Sequence, residues 1–218
     1  MQLRLIQSLT SLTLCSMTLV AQTSLPGAQK PSETPKTVHQ LFVEDQEDLH
    51  TGANGGPRFT EEEYNQRVKT RQATLRTMLA AGEMKSGDDF RDAAYLFQHS
   101  DDANDCLFAH ILAMEAMARG TESARFIAAA TLDRYLQFTK QPQVFGTQYV
   151  LDRNVPLTVH TSGLPLPFGR TLEPYNENLL PDSMRTDFCV PTLTQQKRNV
   201  VMFNAGNWPR ETMHPRCD

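Results

Sequence analysis

Three short clusters in the sequence combine side chains that can move protons or bind charge with positions that favour turns. They are residues 98–102, 132–134 and 143–148. In the first cluster His99 lies beside Asp101, and a carboxylate that orients an imidazole is the minimum needed for general base catalysis. We therefore take His99 as a candidate base, oriented by Asp101 or by Asp133. The same pattern is also typical of a plain turn between two helices.

The second and third clusters have the side chains of a polar ligand site. Asp133 and Arg134 follow an alanine-rich stretch, and a buried charge without a partner is costly, so each needs one. Arg134 can contact an anionic ligand or the carbonyl groups of nearby coil. Glycine in the third cluster permits a positive φ, and the glutamine amides both donate and accept. The candidate ligand-binding residues are Gln98, Arg134, Gln143, Gly146, Thr147 and Gln148.

A structural interpretation of these clusters stays open beside the functional ones. The same charges and amides can form a polar clamp that attaches the C-terminal coil to the helices. Cys106 and His110 share one helix face at i, i+4 spacing, but they lie in an apolar stripe, so we predict no metal and no cofactor. The common nucleotide-binding, hydrolase and zinc-protease motifs are absent from the sequence.

Four helical segments are predicted to position the clusters, over about 60–82, 88–99, 103–119 and 121–140. Thr60 and Glu63 have the spacing of a capping box at the start of the first segment. In the third segment the predicted buried stripe consists of Leu107, Ile111, Met114 and Ala118. The third and fourth segments are alanine-rich, and Gly120 separates them, so they are expected to pack as a close helical hairpin.

The remaining regions flank this helical core. Residues 38–49 are predicted to form one or two helical turns. After Pro142 frequent prolines predict a long coil over the helices, with a short strand at 155–159 and a strand or last helix at 193–203. A disulfide between Cys189 and Cys217 would close a loop of the coil and leave Cys106 as a buried thiol, although spacing alone does not prove pairing.

The N-terminal residues are typical of a secretory signal. Residues 1–22 have one basic residue, a mostly apolar stretch and small residues near the end, which predicts a signal peptide and a periplasmic or extracellular protein. Residues 23–37 predict a disordered tether, and 38–218 a single domain. The formal charge of −4 becomes −5 when Arg4 is removed with the signal, which disfavours a nucleic-acid partner. The mature chain has no predicted membrane span.

The clusters, taken in their order along the chain, resemble the pattern of a known protein family. The resemblance is carried by Phe97-Gln98-His99, Thr131-Leu132-Asp133-Arg134 and the Gln143-x-Phe145-Gly146-Thr147-Gln148 pattern, together with Asp45-Gln46 near the start of the domain. On these residues the chain resembles a family of exported bacterial proteins that carry a domain of unknown function. The resemblance covers about residues 40–150, and it implies a mainly helical domain but no particular chemistry.

The sequence thus predicts a mainly α fold, a small antiparallel domain of helical hairpins with a long C-terminal coil wrapped over it. The leading functional hypothesis is a module that binds a small polar ligand or a protein partner. One alternative is a hydrolase or lyase in which His99, Asp101 and Asp133 form an acid–base site. The other is the polar clamp, in which these residues have a purely structural role.

Overall fold

The computed structural model describes residues 35–50, 56–154, 169–207 and 209. Internal contacts divide the chain into two units, Met1–Pro35 and Lys36–Asp218, and every described helix and strand belongs to the second unit. The predicted signal peptide at 1–22 and the tether as far as residue 34 lie outside the described residues.

The described part of the chain is mainly helical. Its elements are α1 (Val38–Asp48), α2 (Glu61–Ala80), α3 (Gly87–Phe97), α4 (Ala103–Ala118), a 3-10 turn (Glu122–Ala124), α5 (Arg125–Phe138), β1 (Val150–Asp152), β2 (Gly169–Thr171), α6 (Asp182–Asp187) and α7 (Leu193–Asn204). None of these helices combines the length and the apolar composition that crossing a membrane requires.

Capping boxes begin several of these helices. The Thr60 side chain accepts a hydrogen bond from the backbone of Glu63, and the Glu63 carboxylate accepts one from the backbone of Thr60, which confirms the predicted capping box. Thr37 starts α1 in the same way. Helix α1 has three turns, where the sequence predicted one or two. The cap favours the longer helix because it supplies hydrogen-bond acceptors to N–H groups of the first turn, which have no partner within the helix.

Helices α3, α4 and α5 form the centre of the main hydrophobic core. Alanines at the contacts between these helices are fully buried, as their small side chains allow a close approach of the helix axes. Gly120 separates α4 from the 3-10 turn and has a φ of +89°, a conformation that glycine adopts without strain. The predicted hairpin of the third and fourth segments is confirmed.

The predicted buried stripe of α4 is wrong. The helix buries the other face, which consists of Cys106, Ala109, Leu112, Ala113 and Ala116. Ile111 and Met114 are 52% and 53% exposed. Because α4 is apolar around most of its circumference, hydrophobic periodicity does not identify the buried face, and the close approach of α3 and α5 favours the alanine side.

The C-terminal segment contains more regular structure than the predicted coil. Strands β1 and β2 pair antiparallel with Val150 opposite Thr171, and α7 resolves the strand-or-helix choice at 193–203 as a helix. A small second core of Ala129, Phe145 and Val190 attaches the segment to α5. The predicted strand at 155–159 lies outside the described residues.

Candidate functional site

Asp133 organises the loop that follows α5. Its side chain is fully buried, and Oδ1 accepts hydrogen bonds from the backbone N–H groups of Val144 at 2.7 Å and Phe145 at 2.9 Å. Oδ2 accepts from the backbone N–H of Thr147 at 2.9 Å and from its hydroxyl at 2.8 Å. Burial raises the pKa of Asp133, and these hydrogen bonds oppose the rise. Both oxygens are therefore occupied by the loop, which leaves neither to orient a catalytic base.

The two glutamines of this loop also use their amides internally. Gln143 Nε2 donates to the carbonyl oxygens of Gln148, at 3.0 Å, and Leu172, and Gln143 Oε1 accepts from the backbone N–H of Gln148 at 3.0 Å. Gln148 Nε2 donates to the carbonyl oxygen of Ala130 on α5 at 3.1 Å. These contacts connect α5, the loop and the chain after β2, as the polar-clamp alternative requires.

Gly146 lies where the loop meets α7. Its φ is +78°, and a Cβ atom at this position would lie 2.5 Å from Oε1 of Gln196 and 2.8 Å from the Tyr175 ring. The hydroxyl of Tyr175 donates to the same Oε1 at 2.8 Å, so the space around the glycine is filled by a bonded pair. The glycine is explained by this close approach, without a ligand.

His99 lies beside a different acid from the two that the sequence indicated. Its Nδ1 atom is 2.8 Å from Oδ2 of Asp45, although the ring N–H does not point at that oxygen and forms no hydrogen bond. Nδ1 is fully buried, so the exposed 14% of the side chain lies elsewhere on the ring. The predicted pairing with Asp101 or Asp133 is wrong, because Asp101 is exposed at the turn and Asp133 is occupied by the loop.

Asp45 belongs to a buried charge network between α1 and α2. Arg71 contacts Asp45 at 3.4 Å and also donates to Asp48, while Arg67 donates to both Asp48 oxygens at 2.7 and 3.0 Å. Burial alone would raise the pKa of Asp48, but the hydrogen bonds and charges of the two arginines outweigh it and lower the pKa. Each of these two arginines therefore has a carboxylate partner.

Sequence reasoning missed this network, although a signal for it is present. Val38, Leu41, Asp45 and Asp48 follow one another at spacings of three, four and three residues, and all four are buried on one face of α1. Arg67 and Arg71 have the matching i, i+4 spacing on α2. Acids that continue an apolar stripe indicate buried ion pairs, because an unpaired carboxylate on that face is costly.

Tyr64 lies close to this network. Burial raises the pKa of Tyr64 to about 12, and the negative charges of Asp45 and Asp48 add to the rise. The positive charges of Arg71 and Arg134 oppose it. The fields of all four charged groups therefore act on the phenol. Its hydroxyl keeps its proton at neutral pH and can act as a hydrogen-bond donor.

Arg134 lies at the same end of the helical bundle. The Nδ1 atom of His110 on α4 is 2.9 Å from the carbonyl oxygen of Ala128 on α5, and this contact aligns Arg134 with the first turn of α4 in the antiparallel pair. The same turn carries Asp105, whose carboxylate accepts from Ser100, the neighbour of His99, at 2.8 Å. By this alignment Arg134 lies near the first turn of α4, which also contacts the residue that follows His99.

The Arg134 side chain is half-buried, yet it forms no hydrogen bond or ion pair with any described residue. Gln98, one residue before His99, is also half-buried, and its amide has no hydrogen-bond partner in the described part of the chain. Of the predicted ligand-binding residues, these two keep their polar atoms available. Gln143, Thr147 and Gln148 have theirs engaged in the clamp.

A cavity of about 430 Å³ opens beside the charge network, at the connection between α1 and α2. Asp48 and Tyr64 form its side toward the network, and Phe59 contributes an aromatic wall. A much smaller cleft of about 10 Å³ touches His99 and Asp101, which is room for one water molecule at most. The described residues contain no group of three or more histidine, cysteine or acidic side chains able to hold a metal ion.

The chain was compared with family models, curated proteins and solved structures. No match was found. The resemblance to the exported bacterial family therefore stays a prediction.

Two cysteines lie within the described residues, one of them bonded and the other free. Cys189 is disulfide-bonded, and Cys106 is free and buried in α4. Burial raises the pKa of the Cys106 thiol to about 11, so it stays protonated and unreactive at neutral pH. Cys217, the predicted partner of Cys189, lies outside the described residues, so their pairing stays a prediction.

Proposed function

We propose that this protein is an exported binding module for a small anionic ligand, with Arg134 as the cation that holds the anion. The N-terminal sequence supports export, and the chemistry of the helical bundle supports the ligand class. Arg134 lies at the end of the bundle where the turn between α3 and α4 meets α5.

The unpaired guanidinium of Arg134 is the observation that carries this proposal. The Arg134 residue is half-buried, and its guanidinium has no counter-ion among the described residues, so a bound anion would supply one. The neighbouring Arg67 and Arg71 have carboxylate partners, whereas Arg134 has neither an ion pair nor a hydrogen bond within the described residues. Its planar group suits carboxylate and phosphate oxygens, which it can bind through two parallel hydrogen bonds.

Thermal denaturation of the mature protein with inorganic phosphate, sulfate or succinate, at matched ionic strength, tests the proposal. At least one anion is expected to raise the melting temperature by several degrees near 100 times its Kd, because a ligand that binds only the folded state stabilises it by about 2.7 kcal/mol. Arg134→Gln is expected to weaken the binding at least tenfold, because a hydrogen bond to a charged group contributes about 1.5–3 kcal/mol.

Arg125 provides the matched control for this experiment. It also lies on α5 and is 34% exposed, but it pairs with Glu122 at 3.0 Å. Arg125→Gln is expected to leave the anion-dependent shift unchanged. An equal loss in both variants, or an unchanged shift in Arg134→Gln, contradicts an anion site at Arg134.

The contact between His99 and Asp45 favours an acid–base enzyme as a second candidate. The buried carboxylate of Asp45 lies 2.8 Å from Nδ1 of His99, and part of the ring remains accessible. Asp45 is the acid closest to the ring, in place of the Asp101 or Asp133 that the sequence indicated. A histidine base can serve both hydrolysis and elimination, so the hydrolase or lyase alternative is retained with this acid.

A panel of p-nitrophenyl esters and phosphates tests this second candidate. If His99 acts as the base, His99→Gln is expected to lower turnover by about 10²–10⁴-fold. His39 is the matched control, because its Nδ1 lies 2.8 Å from the buried carboxylate of Asp92 in a similar pair on the exposed side of α1. Turnover that survives in His99→Gln, or that falls equally in His39→Gln, excludes His99 as the base for these substrates.

A further inference from the structure

Helix α4 carries an apolar stripe on the side that faces away from the core. Leu107, Ile111, Met114 and Ala118 follow one another at helical spacing along it. Ile111 and Met114 are more than half exposed, and Ala118 is also exposed. Among the described elements α4 packs mainly against α3 and α5, which lie on its opposite side. Apolar residues at helical spacing are typical of a side that packs against a partner, so this stripe indicates an interface.

The spacing of the stripe is symmetric. Its residues are separated by four, three and four positions, so the pattern reads the same from either end of the helix. Two antiparallel copies of α4, related by a two-fold axis midway between Ile111 and Met114, therefore align stripe with stripe. Ile111 lies opposite Met114 of the second copy, and Leu107 lies opposite Ala118. Alternating intervals of four and three are those of coiled coils, and a two-fold contact requires such a self-complementary surface.

The side chains of the stripe and of its margins suit this pairing. Leu107 is large and Ala118 is small, so their pairing at each end of the contact lets the side chains interdigitate. Met114, at the centre, has a flexible side chain that adapts to its neighbours. Phe108 and Met117 are half-buried on the two margins of the stripe and widen the apolar contact.

The charges near α4 favour the antiparallel orientation. Asp101 and Asp102 are exposed at the N-terminal end of the helix, and a parallel pair would bring the acids of both copies together. At the C-terminal end Arg119 pairs with Glu115 at 2.7 Å, so the two charges compensate each other. In an antiparallel pair the acidic end of one copy lies beside this compensated end of the other. The helix dipoles then also point in opposite directions, which is the favourable arrangement.

The expected contact area corresponds to a weak but specific dimer. With 16 residues α4 is about 24 Å long. Two helices of this length that pack along the stripe bury on the order of 1,000 Å² in total, which is near the lower limit for a specific interface. Such an interface is expected to associate reversibly, with a dissociation constant in the micromolar range.

We infer that α4 is the interface of a reversible two-fold dimer, in which the stripe of Leu107, Ile111, Met114 and Ala118 packs antiparallel against the same stripe of a second copy. The dimer is independent of the anion site at Arg134 and goes beyond the proposed function. It also explains why hydrophobic periodicity marks this side of α4 for burial, although the fold of one chain leaves it exposed.

Sedimentation equilibrium of the full mature chain over a range of concentrations tests the inference. The average mass is expected to rise from that of a monomer toward twice that value between low micromolar and millimolar protein. Met114→Glu is expected to weaken the association about 100-fold or more, because it places an unpaired charge from each copy in an apolar contact. Val201→Glu is the matched control, because Val201 is an exposed apolar residue on α7, and its association is expected to equal that of the wild type.

Cysteine cross-linking tests the register of the pair. Leu107→Cys and Ala118→Cys proteins, mixed and mildly oxidised, are expected to form a covalent dimer that neither protein forms alone. Identical positions lie about 16 Å apart along the helices in the antiparallel register, which is too far for a disulfide. The wild-type chain, oxidised in parallel, shows the contribution of the native cysteines.

Three outcomes would overturn the inference. A wild-type protein that stays monomeric at every concentration excludes a second copy as the partner of this stripe, whatever else covers it. Association that persists unchanged in Met114→Glu, with the variant folded by circular dichroism, places the contact on another surface. Covalent dimers of Leu107→Cys alone, without any gain on mixing, contradict the antiparallel register.

Discussion

Replacement of Asp133 with alanine is expected to destabilise the domain by about 3–5 kcal/mol, because it leaves four hydrogen-bond donors without an acceptor in a buried site. The donors are the backbone N–H groups of Val144, Phe145 and Thr147 and the Thr147 hydroxyl. For a domain of this size the loss corresponds to a fall in melting temperature of roughly 6–20 °C. Urea and thermal denaturation of the purified variant provide the measurement.

Two further variants make the Asp133 experiment specific. Asp133→Asn keeps one acceptor oxygen and is expected to lose about half as much stability, since its NH₂ group faces donors of the loop. Asp101→Asn, at an exposed acid in the turn before α4, is expected to change stability by less than about 0.5 kcal/mol. A change of less than about 1 kcal/mol in Asp133→Ala contradicts the role of this carboxylate as the centre of the polar clamp.

Replacement of Arg185 with methionine is expected to cost about 3–4 kcal/mol. The arginine is buried, and it donates to the carbonyl oxygens of Leu180 and Glu177, each at 2.6 Å, and to the Tyr175 hydroxyl at 3.1 Å. Methionine fills a similar volume but leaves these acceptors unpaired, which costs about 1–3 kcal/mol for each fully buried group. The same denaturation measurements apply.

Asp182 limits the expected loss of stability. Its half-exposed carboxylate can bind water after the arginine is removed, so it is not left unpaired. Arg185→Lys is expected to retain part of the stability, since one ammonium group cannot reach all acceptors of the planar guanidinium. Arg198→Met on the exposed face of α7 serves as the control and should stay within about 0.5 kcal/mol of the wild type. Equal stability of the Arg185→Met and Arg198→Met proteins contradicts a structural role for the buried guanidinium.

The two stability predictions separate the clamp from the binding site. Asp133 and Arg185 attach the C-terminal segment to the helices through internal bonds, so their loss should lower stability. Arg134 adjoins Asp133 in sequence but has no described partner, so Arg134→Gln should affect binding with little effect on stability. Neighbouring residues of one helix are thus expected to have different roles, since they point about 100° apart.

Local interactions of the fold were predictable from the sequence, because they depend on residues close together in the chain. The capping box of Thr60 and Glu63 and the break at Gly120 are of this kind. The buried face of α4 was not predictable, because apolar residues surround most of the helix and the choice depends on how closely its neighbours approach. Ile111 and Met114 are exposed for that reason.

The candidate site was predictable only in part. Clusters 132–134 and 143–148 were identified separately, but their connection through Asp133 depends on how the chain turns after α5. The acid beside His99 is Asp45, more than fifty residues earlier in the chain, and only the packing of α1 against α3 brings the two together. The sequence identified Arg134 as a candidate for anion binding because of its charge. Only the folded structure shows that no described residue forms an ion pair or hydrogen bond with its side chain.

The most direct test of an anion site at Arg134 is an anomalous difference map from crystals of the mature protein soaked in selenate. Selenate has the shape and charge of sulfate, and its selenium atom identifies the anion without ambiguity. A peak within hydrogen-bond distance of the Arg134 guanidinium, absent from crystals of Arg134→Gln, is the predicted result. A fully soaked wild-type crystal with anomalous peaks only at other sites would contradict the account.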